Sequence, residues 1–277
     1  MDFEALQAVK VSIEDQIGWV TLNRPEKRNA MSPQMHFEMV DVLKDLAVRP
    51  EVRVLVLTGA GDSWCAGQDI KLFFRDLDDK PQERHLARLA NHEWRWNLLS
   101  MFPKPTIAMV NGYCFGGAFV QLAACDFAIA ADDAPFGLSE VNWGILPGGL
   151  VGKVLTDTVN FRTGMYYAMT GEPFDGRAAA QMGLITKSVP KEQLREQTEA
   201  LAKNLISKNP QTLRTIKESL RQVRGMNVEQ AADYLLAKER EMRFLDTEKG
   251  REEAMEQFLD KKTFRPGFGA YERDGRK

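Results

Sequence analysis

One acidic residue, Glu140, stands in the stretch Phe136-Gly137-Leu138-Ser139-Glu140-Val141-Asn142-Trp143-Gly144, shortly after the glycine pair Gly116-Gly117. Among apolar neighbours such as Leu138, Val141 and Trp143, its carboxyl is expected to lose hydration and to titrate closer to neutrality. A carboxyl in that range both takes and returns a proton, as a general acid–base group must when it acts on something held at the glycines. The competing reading is an ordinary loop glutamate paired with a nearby arginine.

Two further segments could supply electrostatic help. From Val54 to Ile70 an apolar strand runs into a turn of small residues and then into a helix that opens around Asp69. Asn111-Gly112-Tyr113-Cys114-Phe115-Gly116-Gly117-Ala118 repeats that passage from strand to helix. A helix start leaves backbone N–H groups without partners and carries partial positive charge. Two such starts facing each other grip one oxygen, the outline of an oxyanion hole. Tight packing alone also explains a Gly-Gly before a helix.

Other chemistries lack their residues. There is no GxxxxGK[ST], and no GxGxxG followed by an acidic residue, so P-loop and dinucleotide readings are weak. His92-Glu93 has no second histidine at HExxH spacing, and His36 and His85 have no neighbouring ligand set, so no metal site is expected. The three histidines read as surface or helix-face residues. Ser139 does not sit in a GxSxG elbow.

The elements that must position these residues follow from periodicity. Short apolar runs at Ile17–Leu22, Val52–Leu57, Thr106–Val110 and Phe127–Ala130 stop at Gly, Pro, Asn or Asp and read as buried strands. Between them, Pro33–Ala47 carries Met35, Met39, Leu43 and Leu46 at helical spacing behind the N-cap candidate Ser32. Gln82–Met101 repeats Leu86, Leu89, Trp94 and Leu98. This alternation predicts an α/β core. Beyond about Asn160 the strand signal fades, and Lys191–Lys262 reads as charged, amphipathic helix broken near Asn209-Pro210 and Gly225. The division predicted is a core over 1–190 and a helical region over 191–277.

Bulk properties narrow the partners. In 277 residues, 37 basic and 39 acidic side chains leave a formal charge of −2, which gives neither nucleic acid nor an anionic membrane a field to follow. No run approaches the ~20 apolar residues that span a bilayer, and Met1–Lys10 has no apolar signal segment, so the expected compartment is the cytoplasm. Cys65, Cys114 and Cys125 are widely spaced without a CxxC pair and are expected as buried, reduced thiols.

Taken together, Leu22-Asn23-Arg24-Pro25-Glu26-Lys27-Arg28-Asn29-Ala30, Ala66-Gly67-Gln68-Asp69, Asn111-Gly112 through Gly117, Cys125-Asp126 and Phe136–Gly144 resemble the crotonase, or enoyl-CoA hydratase/isomerase, superfamily. The likeness continues in order through Leu146-Pro147-Gly148-Gly149, Ala178–Leu184 and Arg251–Lys262. Within that superfamily Asn23–Ser32, Lys104–Gly112, Ser139–Gly144 and Phe244–Glu248 are similar to the hydroxycinnamoyl-CoA hydratase-lyases, also called feruloyl-CoA hydratase/aldolases. The resemblance implies a spiral of repeated ββα units, a C-terminal helical trimerisation region, and assembly as a homotrimer or a dimer of trimers. It also implies an acyl-CoA thioester substrate and no separate cofactor, coenzyme A being part of substrate and product.

Carried over by position, the resemblance makes the backbone N–H groups of Gln68 and Gly117 the oxyanion hole and Glu140 the catalytic carboxylate. Lys27, Ala66 and Ile70 match positions along the CoA chain, with Lys27 suited to a phosphate. Ser139 and Trp143 match positions beside an aromatic acyl group. Apart from Gln68, three positions depart from the lyase pattern: Val120 replaces a serine there (a second glutamate in two-carboxylate hydratases), and Phe73 and Leu236 replace tyrosines. Valine transfers no proton, and the acyl pocket becomes more apolar, leaving Tyr234, Tyr113 and Trp143 as alternative donors to a phenol. Gln68 replaces a methionine, a change expected to be neutral because only its N–H is used. The implied activity is hydration of a 4-hydroxycinnamoyl-CoA and retro-aldol cleavage to an aromatic aldehyde and acetyl-CoA. Hydratase or isomerase action on another acyl-CoA is the alternative, and a non-enzymatic RNA-binding or scaffolding member would need a basic stripe that the chain lacks.

Overall fold

A computed structural model describes residues 1–273. The chain divides into two compact units, one formed by Met1–Phe102 with Thr106–Ala200 and the other by Pro103–Pro105 with the residues from Leu201 onward.

The first unit is built on two sheets that share successive turns of one spiral. Strands β1 (Val9–Glu14), β2 (Ile17–Leu22), β3 (Val54–Gly59), β5 (Thr106–Val110), β7 (Phe127–Ala131) and β9 (Lys187–Val189) form a six-stranded sheet in that spatial order. Strands β4 (Ser63–Cys65), β6 (Tyr113–Phe115) and β8 (Phe136–Gly137) form a second, three-stranded sheet. Each turn thus gives one strand to each sheet: β3 then β4, β5 then β6, β7 then β8. All pairings between these strands are parallel except the β1–β2 hairpin. β3 and β5 are buried along their whole length, which is why they read as continuous apolar runs, whereas β1 alternates buried and open positions.

The corners between paired strands need glycine. A Cβ on Gly112 would lie 1.9 Å from the Asp62 carbonyl oxygen, and one on Gly59 2.1 Å from that of Ser63. Asn111 fastens this corner, its Nδ2 donating to the carbonyls of Gly59 (2.9 Å) and Gly61 (2.8 Å). Successive turns are therefore stacked backbone on backbone.

Helices α1 (Pro33–Val48), α2 (Pro81–His92), α3 (Ala118–Ala124), α4 (Val151–Thr158), α5 (Phe161–Thr170) and α6 (Gly176–Gln181) complete the first unit, and α7 (Leu194–Ile206) spans the division. Ser32 caps α1 as expected, its hydroxyl accepting from Met35 N at 3.2 Å. The core holds Trp64, Trp94, Phe102, Phe119 and Phe136 in full burial, each stabilising the fold by about 1.5–3 kcal/mol relative to exposure.

Three sequence expectations need correction here. The row Leu86, Leu89 is exposed; Ala87, Ala90 and Trp94 face inward instead, and the small alanines let α2 lie close to α1. The helix then widens into a π turn over Glu93–Leu98, which buries the consecutive residues Trp94 and Arg95. The five-residue step from Leu89 to Trp94 was its trace in the sequence. β1, β9 and the three short strands of the second sheet escaped notice because they are short or alternate without strong apolar runs.

The second unit is helical: α8 (Pro210–Val223), α9 (Val228–Leu245), α10 (Gly250–Met255) and a π turn over Glu256–Lys261. Asn209 caps α8 through its Oδ1, and Asn227 with Gln230 forms a capping box on α9. The breaks at Asn209-Pro210 and Gly225 match expectation, and a third falls at Asp246–Lys249, where Asp246 Oδ2 accepts from Gly250 N at 2.8 Å. No helix among the described residues is long and apolar enough to cross a membrane.

Candidate active site

Gln68 and Gly117 are brought together where the ends of β4 and β6 run side by side. A Cβ on Gly67 would sit 3.0 Å from the Phe115 carbonyl oxygen and 3.5 Å from Gly117 N; one on Gly117 would sit 3.6 Å from Gln68 Cγ. The peptides around them are committed: Met31 N donates to Gly67 O (2.8 Å), Asp69 N to Met31 O (3.0 Å) and Gly116 N to Gly137 O (2.9 Å). Among the described residues the N–H groups of Gln68 and Gly117 themselves donate to nothing. Each opens a helical turn. Asp69 Oδ1 accepts from Lys71 N and Leu72 N, starting a π turn over Ile70–Phe74, and Gly117 precedes α3.

Glu140 stands beside this pair. Gly116 adopts a positive φ of +53°, and a Cβ there would lie 3.0 Å from Glu140 Oε1. Glu140 Oε2 is buried without a hydrogen-bond partner, and no arginine or lysine pairs with the carboxylate among the described residues. Burial raises its pKa from the ordinary glutamate value. The agents of burial differ from expectation. Leu138 is fully buried, but Val141 is exposed and Trp143 is 66% exposed, because the 3-10 turn Ser139–Trp143 points them away from the core.

The remaining predicted residues divide in two. Val120 is buried one turn into α3, its N–H donating to Gly117 O at 3.2 Å. Phe73 is buried with Leu77 and Ala87, its ring edge-on to His36 at 5.2 Å. Ala66 N donates to Arg28 O, which ties the first loop to the exposed turn carrying Lys27. Ile70 is 48% exposed and Ser139 half-buried. Tyr113 lies under the Arg28 guanidinium at 4.5 Å. Leu236 belongs to the second unit, exposed on α9, as does Tyr234, near Lys238.

A polar chain behind the two amides was not foreseen. His36, expected at the surface or on a helix face, is 0% exposed on the inner face of α1. Indole Nε1 of Trp94 can only donate, so His36 Nδ1 at 2.8 Å accepts. Burial first, and the Arg95 charge second, push the His36 pKa down to about 3; the ring is neutral with its proton on Nε2. That proton goes to Gln68 Oε1 at 3.0 Å. Gln68 Nε2 donates to Asn91 Oδ1 at 2.8 Å, which also accepts from Arg95 Nη1 at 2.8 Å. Turning the amide over would face its NH2 onto a nitrogen that already carries the proton. Arg95 Nε donates to Gln121 Oε1 at 2.9 Å, and Nη2 donates to the Gly117 carbonyl. The Gln68 side chain, expected to be neutral, therefore connects one free amide to the other. These residues come from α1, the loop after β4, α2, the π turn over Glu93–Leu98 and α3, so no local pattern announced them.

Residues 12–267 match the profile of the enoyl-CoA hydratase/isomerase family. The chain belongs to that family. Among curated relatives it is 55% identical to a hydroxycinnamoyl-CoA hydratase-lyase of Pseudomonas fluorescens, over 96% of this chain and 97% of that protein. It is 31% identical to a 2,3-dehydroadipyl-CoA hydratase of Escherichia coli, over 91% and 96%. A crystal structure of an enoyl-CoA hydratase from Geobacillus kaustophilus superposes with a TM-score of 0.81 at 31% identity, covering 92% of this chain and 96% of the other. The crotonase-type α/β fold of this hydratase/isomerase family member is thus established. An acyl-CoA thioester is the substrate class consistent with the family.

Proposed function

We propose that the protein is a hydroxycinnamoyl-CoA hydratase-lyase, with the Gln68 and Gly117 amides holding the thioester oxygen and Glu140 moving protons above it. Two unspent N–H groups beside one desolvated carboxylate carry the reading, and the 55% identity over nearly the full length favours the aryl substrate. The amides polarise the carbonyl and make Cβ of the enoyl chain electrophilic. Glu140 takes a proton from the water that adds at Cβ and returns it at Cα, leaving a β-hydroxy thioester. Glu140, ionised again, takes the hydroxyl proton; the Cα–Cβ bond breaks, the aldehyde leaves, and the amides hold the acetyl-CoA enolate. Protonation of that enolate by Glu140 gives acetyl-CoA.

A single carboxylate suffices for this cycle because each proton taken is given back. Val120 cannot supply a second, which disfavours the two-carboxylate hydration mechanism. Lys27 is assigned to a CoA phosphate, and the backbone near Ala66 and Ile70 to the adenine and pantetheine. Phe73, Ser139 and Trp143 are assigned to the acyl end. Coenzyme A enters and leaves as part of substrate and product, with no further cofactor. Exposed apolar side chains on α8 and α9, among them Leu220, Val228, Leu235 and Phe244, support a trimeric assembly.

Feruloyl-CoA with the purified protein is expected to give vanillin and acetyl-CoA in equal amounts. A simple hydratase stops at the β-hydroxy thioester, and that product in place of aldehyde would refute the lyase assignment. Glu140→Gln should lower kcat by at least about 10³-fold while leaving feruloyl-CoA affinity within a few fold.

A further inference from the structure

Arg95 is a buried cation without a counter-ion. It is 6% exposed, and its three acceptors, Gln121 Oε1, Asn91 Oδ1 and the Gly117 carbonyl, are all neutral. No carboxylate lies within ion-pair distance among the described residues. Cys65, the one ionisable group that acts on Arg95 by its charge, is held as a thiol, burial pushing its pKa up to about 11, and His36 is neutral. Burial lowers the guanidinium to about 10, still charged at neutral pH. Proteins rarely keep an unpaired ion inside, because desolvation is repaid only when an opposite charge arrives.

Geometry says where that charge arrives. Arg95 Nη2 lies 3.3 Å from the place a Cβ on Gly117 would take, and its bond to the Gly117 carbonyl fixes the peptide that follows the free N–H. On the other side the chain through Asn91 reaches the Gln68 side chain.

We propose that Arg95 is a positioning residue of the oxyanion hole: its guanidinium fixes the Gly117 and Gln68 amides through one hydrogen-bonded chain and supplies the positive charge that the thioester enolate neutralises. The proposal rests on the assignment of those two amides to the thioester oxygen. In the resting protein the cation is solvated by dipoles alone. As negative charge builds on the oxygen, a full positive charge one peptide away lowers its energy in a water-poor interior, where such interactions are strongest. Substrate in its ground state carries little charge there, so the effect belongs to kcat rather than to KM.

The test compares Arg95→Met and Arg95→Lys with the parent enzyme. Arg95→Met should lose about 10–10²-fold in kcat with KM changed less than about threefold. Arg95→Lys should recover most of the loss at low pH and forfeit it as pH rises, because a buried lysine has a lowered pKa and gives up its charge; the parent should show no such limb. Circular dichroism at each pH confirms that the chain stays folded. A direct optical readout uses feruloyl-CoA bound to Glu140→Gln, which cannot turn over. Its absorbance should shift to longer wavelength on binding, and adding Arg95→Met should remove most of that shift while binding persists.

An equal shift in the two backgrounds, or a Lys variant with no pH-dependent loss, would overturn the proposal. Should Arg95→Met fail to fold, the Lys variant decides alone. Absence of aldehyde from the parent enzyme would instead refute the lyase assignment and leave the spectral test of Arg95 standing, since it needs only a bound conjugated thioester.

Discussion

Glu140 ionises in a place that resists its charge, and this sets two measurable pH dependences. In its proposed role as a base it must be deprotonated in free enzyme, so kcat/KM should rise with pH along an acid limb whose midpoint lies above the ordinary glutamate value. Glu140→Gln should erase that limb in whatever activity remains. Stability runs the other way. Because the folded-state pKa is raised by desolvation, folding favours the protonated form, and this favourable contribution is present below the unfolded pKa and lost as pH rises through the folded one. Glu140→Gln should therefore raise Tm at neutral pH, and the gain should vanish in acid below about pH 4. A Tm difference of the opposite sign at neutral pH would mean the carboxylate has a stabilising partner after all.

At the scale of elements, the tight turn between β6 and α3 decides the distance between amide and acid. Gly116 has the left-handed φ that lets the chain turn there, and its missing Cβ leaves room for the Glu140 carboxylate. Gly116→Ala imposes the left-handed penalty of about 1–2 kcal/mol and pushes a methyl against Oε1. We expect a modest loss of stability in chemical denaturation and a larger loss of kcat, about 10²-fold, since a misplacement of 1 Å can cost that much. Equal kcat in a folded Gly116→Ala protein would show that the carboxylate works from elsewhere. The π turn over Glu93–Leu98 has a comparable duty: by burying Trp94 and Arg95 in succession it delivers both ends of the polar chain.

For the whole molecule, the spiral explains why distant segments share one site. Stacked turns carry the ends of β4 and β6 alongside each other, so residues 68 and 117 become neighbours although 49 positions separate them (117 − 68). The proposed trimer has a mass of about 94 kDa (3 × 31.3 kDa), which light scattering on a sizing column measures directly. A 31.3 kDa species would rule it out. Charged substitutions at Leu220 and Phe244 together should release smaller species without abolishing the helicity of α8 and α9.

Sequence by itself determined the residues whose neighbours along the chain carry the meaning. Glu140 in its glycine-bounded loop, the two small-residue turns, the buried strands, the helix cap at Ser32 and the helix breaks at Asn209-Pro210 and Gly225 were legible because turn chemistry, capping and apolar runs are local. Only the tertiary structure decided what those residues face. Trp143 turned outward, His36 turned inward, and Gln68 gained a working side chain, because burial and hydrogen bonding depend on which elements the spiral stacks together. Arg95 is the extreme case: an arginine in a charged helical stretch looks solvated, and its unpaired charge becomes visible only when Gly117, Asn91 and Gln121 close around it.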